Sequence, residues 1–283
     1  MNTQNSRQPH SVWILFNPIL ALLGIWGRRD LLKQLVRRNI QVRYKGTMIG
    51  LVWMVITPLV MLAVYTFVFS VVFKARWGAD FGESKVAFAI IVFCGITMFN
   101  IFAESITGSV RVITGDPNYV KKVVFPLEIL PVSAVFSAIF FGLVSLTILL
   151  AGVGLVMHKF SLTIICLPLV FLPLFLLCSG ISWFVASLGV YVRDLSHFVG
   201  IVIQVLFFMT PIFYSVEMVP KSLRPILILN PLTTIVQTTR NVLIYDKWPD
   251  WAGLGIVTVL SLVIFQLGYF WFMKTKRGFA DVL

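Results

Sequence analysis

The chain has 283 residues, of which 59% are hydrophobic and only 12% charged, where a soluble domain carries about a quarter charged, so an ordinary water-soluble fold is excluded. The formal net charge of +12 does not point to nucleic acid, because the cations are dispersed between long apolar runs instead of lining one groove; they are placed to meet anionic lipid and to set orientation. Cys94, Cys166 and Cys178 lie inside apolar runs without paired spacing and read as small buried hydrophobes; His10, His158 and His197 lack a Cys, Asp or Glu at ligand spacing, so no metal site is expected.

Residues 1–28 form an N-terminal extension that starts polar. Its apolar part, Val12 to Gly27, reaches only about 24 Å as a helix, short of a hydrocarbon core about 30 Å thick, and Pro18 interrupts it. A signal peptide is the competing view. The stronger basic run follows the apolar stretch and no clear cleavage site appears, which favours an interfacial segment. Over residues 29–45, Arg29, Lys33, Arg37, Gln41 and Lys45 recur every fourth residue on one helical face, while Leu31, Leu32, Leu35, Val36 and Val42 gather on the other. With Arg38 and Arg43 this makes a basic amphipathic interface helix that lies in a headgroup layer, or else a solvated helix packed on a protein partner.

Residues 46–283 hold six charge-poor runs, each near or above the roughly 20 residues needed to cross a bilayer. They are Gly46 to Phe73, Val86 to Val110, Ile129 to Met157, Phe160 to Val192, Phe198 to Val216 and Trp251 to Met273. The expected fold is an all-α integral membrane protein with six transmembrane helices. The fourth run is too short for a two-span hairpin, and Pro168 and Pro173 are expected to kink one long helix. Glu104 is the one charge inside the runs. A carboxylate there must face protein or water, and with Asn100 one turn earlier it reads either as a functional group or as an interfacial carboxylate bonded to a neighbour. With the N-terminus inside, fifteen of the 23 Lys and Arg fall in inner segments and eight in outer ones, which places both termini in the cytoplasm.

Between the second and third runs, residues 111–124 form a polar island that opens with the turn-forming Gly115-Asp116-Pro117-Asn118. Tyr119 to Val124 carries the paired cations Lys121 and Lys122 and suits a short helix, which Phe125-Pro126 ends. The alternative reading is a plain connector whose lysines obey the positive-inside bias. The last outer loop, 217–250, is unusual in having an apolar middle from Pro225 to Thr239, too short to cross and broken by Pro231. A pair of short re-entrant helices is expected there, with an ordinary surface loop as the alternative.

No Gly-x-x-x-x-Gly-Lys-Ser/Thr phosphate loop, Gly-x-Ser-x-Gly elbow or His-Glu-x-x-His pair occurs, so neither an ATP site nor catalysis is expected of this chain, and any ATP-driven step needs a partner.

The run Tyr119-Val-Lys-Lys-Val-Val-Phe-Pro-Leu-Glu-Ile-Leu-Pro131 resembles the cytoplasmic coupling segment of type-2 ABC exporter permeases of the polysaccharide family, which move O-antigen, capsule or teichoic acid. Arg29-Asp30-Leu31-Leu32 through Arg43-Tyr44-Lys45-Gly46, Arg193-Asp194-Leu195, Thr210-Pro211-Ile212-Phe213-Tyr214, Asn230-Pro231-Leu232-Thr233, Arg240 and Phe279-Ala280-Asp281 fall in that family's order. The resemblance covers Arg29 to Leu283 and leaves the first 28 residues without a counterpart. It implies a homodimer of six-span subunits in the bacterial inner membrane, each with an ABC ATPase that holds ATP and Mg²⁺, around a channel for a lipid-linked polysaccharide. Asp116, Tyr119, Lys121, Lys122, Phe125 and Pro126 would then couple to the ATPase.

Aromatic rings can stack on the apolar C–H faces of sugars without fixing each hydroxyl, which suits a sliding polymer. Tyr65 and Phe69 share a face of the first span, and Phe207, Phe208 and Tyr214 gather near Pro211. Rings in a chain with 14% aromatics also serve as lipid-facing belts; the family resemblance favours Tyr65, Phe69, Phe208 and Tyr214 as channel-lining. An exporter of a drug or small lipid is the runner-up. An ion-coupled carrier would need midplane ionisable groups and internal repeats, where only Glu104 qualifies and no repeat is seen.

Overall fold

The computed structural model describes residues 18–72, 85–116, 118–121, 125–157 and 162–283, and these are helical with no strand among them. Helix α1 (Pro18–Trp26) opens at the proline, whose fixed φ and missing N–H suit a first turn, and it buries Ala21 and Ile25 on one face. Helix α2 (Arg29–Arg43) buries Leu32 and Leu35, while Arg29, Lys33, Arg37, Gln41 and Lys45 stay exposed, as the four-residue spacing predicts. Val42 departs from that pattern and is exposed. After Tyr44 the chain turns through Gly46, whose φ of 86° a residue with a Cβ rarely adopts.

Among the described residues, five helical stretches are long and apolar enough to cross a membrane: Gly50–Val68, Val86–Val110, Ile129–Leu155, Leu162–Tyr191 and Trp251–Val282. They rest on α3 (Trp53–Tyr65, which widens into π turns over Thr66–Val72), α4 (Lys85–Val110), α6 (Ile129–Met157), α7 (Leu167–Tyr191) and α11 (Trp251–Thr275). A four-residue helix, α5 (Asn118–Lys121), lies between α4 and α6. Only Pro173 is inside α7; Pro168 sits in its first turn, after the 3-10 stretch Leu162–Cys166, and so opens the helix instead of bending it.

The fifth apolar run is shorter than expected. Helix α8 (Leu195–Met209) has 15 residues, about 22 Å of rise, and the chain then bends through 210–214. The stop is local: Pro211 disfavours a helical conformation at the residue before it, and Thr210 adopts φ −91°, ψ 132°. Beyond it come two short helices, α9 (Arg224–Leu229) and α10 (Pro231–Leu243). Pro231 does not merely break the run; it starts α10, with the Asn230 side chain accepting from Leu232 N–H at 3.0 Å as the cap. The chain ends in α12 (Phe279–Val282).

Two apolar clusters make the core. The larger joins α4 to α6, α7, α8 and α10. The smaller gathers Ala21, Leu32, Leu127, Leu130, Trp183 and Phe279, so it brings both ends of the chain against the start of α6. Helices α7 and α11 meet backbone to backbone, since a Cβ on Gly180 would lie 2.5 Å from the Ile264 carbonyl oxygen. Close approach through small residues substitutes for the hydrophobic drive that lipid removes.

Candidate functional site

The segment between α4 and α6 is built from the core outward. Ile113 and Leu127 anchor its two sides in the smaller cluster. Arg111 Nη2 donates to Ser196 Oγ at 2.9 Å, which ties the segment to the first turn of α8. Above this base, Tyr119 in α5 packs on Phe125 with ring centroids 4.5 Å apart, and Pro126 O accepts from Ile129 N–H at 3.0 Å. Arg38 of α2 lies over the Tyr119 ring at 5.5 Å, donates to its hydroxyl, and stands 3.9 Å from Asp116. Helix α2 therefore braces the segment. The Lys121 side chain and Lys122 lie outside the described residues.

At the root of the segment, Glu128 is buried, and its carboxylate receives Arg28 from the turn between α1 and α2 and Lys276 Nζ, at 2.7 Å, from the C-terminal turn. The Trp183 indole N–H donates to the Glu128 carbonyl at 2.9 Å. Burial would push this carboxyl up, but the hydrogen bond from Lys276, its own backbone N–H, the charge of Lys276 and the hydrogen bond from Arg28 outweigh it and hold the group below its ordinary value. Sequence reasoning quoted Glu128 within a motif but assigned it no role.

Glu104 meets Arg43, the last residue of α2, in a two-pronged pair at 2.6 and 2.9 Å, and the same guanidinium lies 4.3 Å from the Phe141 ring centroid. A planar fork matched to a carboxylate holds one relative orientation of α2 and α4. The pair separates two clefts. One, of about 370 Å³, is lined by Asn39, Thr107 and Ser137 among others, and Asn39 Nδ2 also reaches Ser133 Oγ at 3.3 Å. The other, of about 400 Å³, lies between α3, α4 and α6 and is lined by Thr57, Tyr65, Thr97, Asn100 and Ser145. Asn100 and Glu104 thus share one wall, as their spacing predicts.

The aromatic residues group around α8. Tyr65 stands 6.3 Å from Phe213, Phe213 is 5.3 Å from Phe207, and Phe207 is 5.1 Å from Phe99. Phe208 packs on Phe207 at 5.5 Å and is exposed, while the Tyr214 hydroxyl donates to the Phe208 carbonyl at 2.9 Å. The side chain of Phe69 lies outside the described residues. Phe99 and Phe213 were not singled out from sequence; a fourth-residue spacing finds partners within one helix but not across three.

A buried arginine meets the chain where α8 stops. Arg240 of α10 donates to the carbonyls of Ile91 at 3.2 Å and of Pro211 and Ile212 at 2.7 Å each, so it serves the backbone that α8 leaves unpaired where it stops.

The family model for the ABC-2 type transporter matches residues 30–244, from α2 to the end of α10. The chain belongs to that family. Two proteins of Klebsiella pneumoniae, each named O-antigen export system permease protein RfbA, are 26% identical to it over 255 residues, 90% of this chain and 95% of theirs. A protein of the same name from Myxococcus xanthus is 25% identical over 260 residues, 91% of this chain and 96% of its own. This ABC-2 family member is a permease subunit and a multi-pass membrane protein. Its family match takes in the segment from Arg111 to Glu128, both clefts and the pair α9 and α10, but neither Arg28 nor Lys276.

Proposed function

We propose that the permease moves a lipid-linked polysaccharide of the O-antigen or capsule kind across a bacterial inner membrane, as a homodimer in which each copy carries an ATPase subunit that holds ATP and Mg²⁺. The observation that carries this reading is the extent of the similarity: relatives named for O-antigen export match 90% of this chain and 95% of their own. Residues 111–124, with Phe125 and Pro126 closing them, are the coupling segment. Their base is fixed in the core and braced by Arg38, so a push on Tyr119, Lys121 and Lys122 is passed to α4, α6 and, through Arg111, to α8.

Both termini lie in the cytoplasm, which requires an even number of crossings. Helix α8 supplies the sixth. At about 22 Å it needs the bent backbone after Met209 to finish the crossing, and such backbone is tolerated at membrane depth only when buried in protein with its polar groups satisfied. Burial of Thr210 and Ile212 and the Arg240 hydrogen bonds meet that condition. Helices α9 and α10 dip in from the outer face. The uncovered face of α3, with the exposed side of α8, meets the second copy and the polymer, and Tyr65, Phe69, Phe208 and Tyr214 line the path.

The test is reconstitution of the dimer with its ATPase in vesicles loaded on one side with a lipid-linked glycan. ATP-dependent arrival of the glycan on the other side is expected. Movement of a drug or short-chain lipid in place of the glycan would contradict the substrate. Lys121→Glu with Lys122→Glu changes the local charge by four units at a contact where like charges repel, and is expected to abolish export at normal membrane levels. Unimpaired export by that double variant would return the segment to a plain connector.

A further inference from the structure

The coupling segment has one acidic residue at its root, and the two cations that meet it come from the far ends of the chain. Arg28 is 100 positions away and Lys276 is 148. Glu128 is 7% exposed, whereas Arg28 remains half-exposed. A carboxylate so enclosed is costly to bury unless paired and hydrogen-bonded, and here both oxygens have separate partners, Oε1 with Arg28 and Oε2 with Lys276. The Trp183 indole fixes the Glu128 backbone as well, so side chain and main chain are held by three elements at once. The apolar surroundings repeat the pattern: Ala21 and Ile25 of α1, Leu127 and Leu130 beside the glutamate, Phe272 and Phe279 near the C-terminus all share one cluster.

A buried ion cluster of this kind can simply hold a fold together. Its position argues for more. The clamp closes on the junction where the coupling segment becomes α6, and α6 packs on α4 and α2. A segment that slid at this junction would absorb a push instead of passing it on. Both cations lie outside the family match at residues 30–244, whereas Glu128 lies inside it.

We propose that Glu128 is a positioning residue for the coupling segment, clamped by Arg28 and Lys276 so that the N-terminal extension and the C-terminal turn together keep the root of the segment from sliding. The proposal rests on the coupling role given above to residues 111–124 with Phe125 and Pro126, which Glu128 follows.

The experiment uses the full permease with its ATPase in lipid nanodiscs and compares the wild-type protein with Glu128→Gln, Arg28→Gln, Lys276→Gln and the double cation variant. Two quantities are read: amide hydrogen exchange of peptides covering 115–131 and 88–106, and glycan exported per ATP hydrolysed. Glu128→Gln is expected to speed exchange in 115–131 at least about fivefold with 88–106 unchanged, and to lower the export ratio by a similar factor. The two cation variants share one acceptor, so the double variant should lose less than the product of the single losses. If Glu128→Gln does not accumulate, the cation variants carry the test, because their side chains are partly exposed. Unchanged exchange in 115–131, or equal acceleration in 88–106, would overturn the clamp. Loosening of 115–131 in a complex whose wild-type form exports no glycan would uphold the clamp and overturn the substrate reading.

Discussion

Helices α3 and α4 have nearly equal mean hydropathy, yet 83% of the crossing stretch of α4 is buried inside the subunit and none of that of α3. Apolar composition selects the membrane, but lipid and protein interior are equally apolar, so hydropathy cannot tell one from the other. What separates the two is the small polar residues of α4. Thr97, Ser105 and Ser109 each bond a carbonyl one turn back in their own helix, at 2.6–2.8 Å, and stay slim enough for neighbours to approach. Ser182 of α7 then reaches the same Ser105 carbonyl at 3.2 Å. The crossing stretch of α3 carries only Thr57 and Thr66, and apart from Leu62 and Tyr65, which pack on the larger cluster, most of its large side chains are exposed.

The largest effect expected from this contrast is in α4. Met98 is fully buried there, and Met98→Ala should cost about 2–5 kcal/mol in thermal unfolding of the detergent-solubilised subunit. A loss under about 1 kcal/mol would break the contrast from the buried side. The combined Tyr65, Phe69, Phe208 and Tyr214 to alanine variant should come next, lowering glycan export roughly tenfold at matched membrane levels, since each stacked ring is worth about 1 kcal/mol beyond its area. Export at the wild-type rate would mean that these rings face lipid. Arg43 and Glu104 join α2 to α4 between the clefts. Their side chains are 43% and 36% exposed, so solvent screens the pair, and a double-mutant cycle should give a coupling of about 1 kcal/mol or less. The smallest effect belongs to α3, where Leu59→Ala should change subunit stability by no more than about 0.5 kcal/mol.

Much of the fold was legible because it depends on local rules. The cations of α2 at every fourth residue marked its exposed face, and α6 fills Ile129–Met157 as read. The apolar run from Phe198 was carried past Pro211 because hydropathy outweighed the proline in that reading, whereas the backbone obeys the proline first. Pro231 taught the same lesson in reverse, since a proline after Asn is a helix start as much as a break. The site was less legible. Asn100 and Glu104 share a wall because they are four apart, but Arg43 as the partner of Glu104 sits 61 positions away, and the cations of Glu128 are farther still. No periodicity in a single sequence reports a pair of that separation.

The uncovered face of α3 is where the account places the second copy and the polymer, and disulfide trapping tests it most directly. Single cysteines placed at Val52, just before α3, and along α3 at Val55, Leu59, Val60 and Val64, all exposed in the subunit, are oxidised in native membranes, with Met98→Cys in α4 as the comparison. The native Cys94, Cys166 and Cys178 are buried and give little background. A covalently linked dimer at one or more α3 positions and none at Met98 is expected. Monomer at every α3 position, with each thiol fully modified by a lipid-soluble reagent, would show that α3 faces lipid and contradict the account.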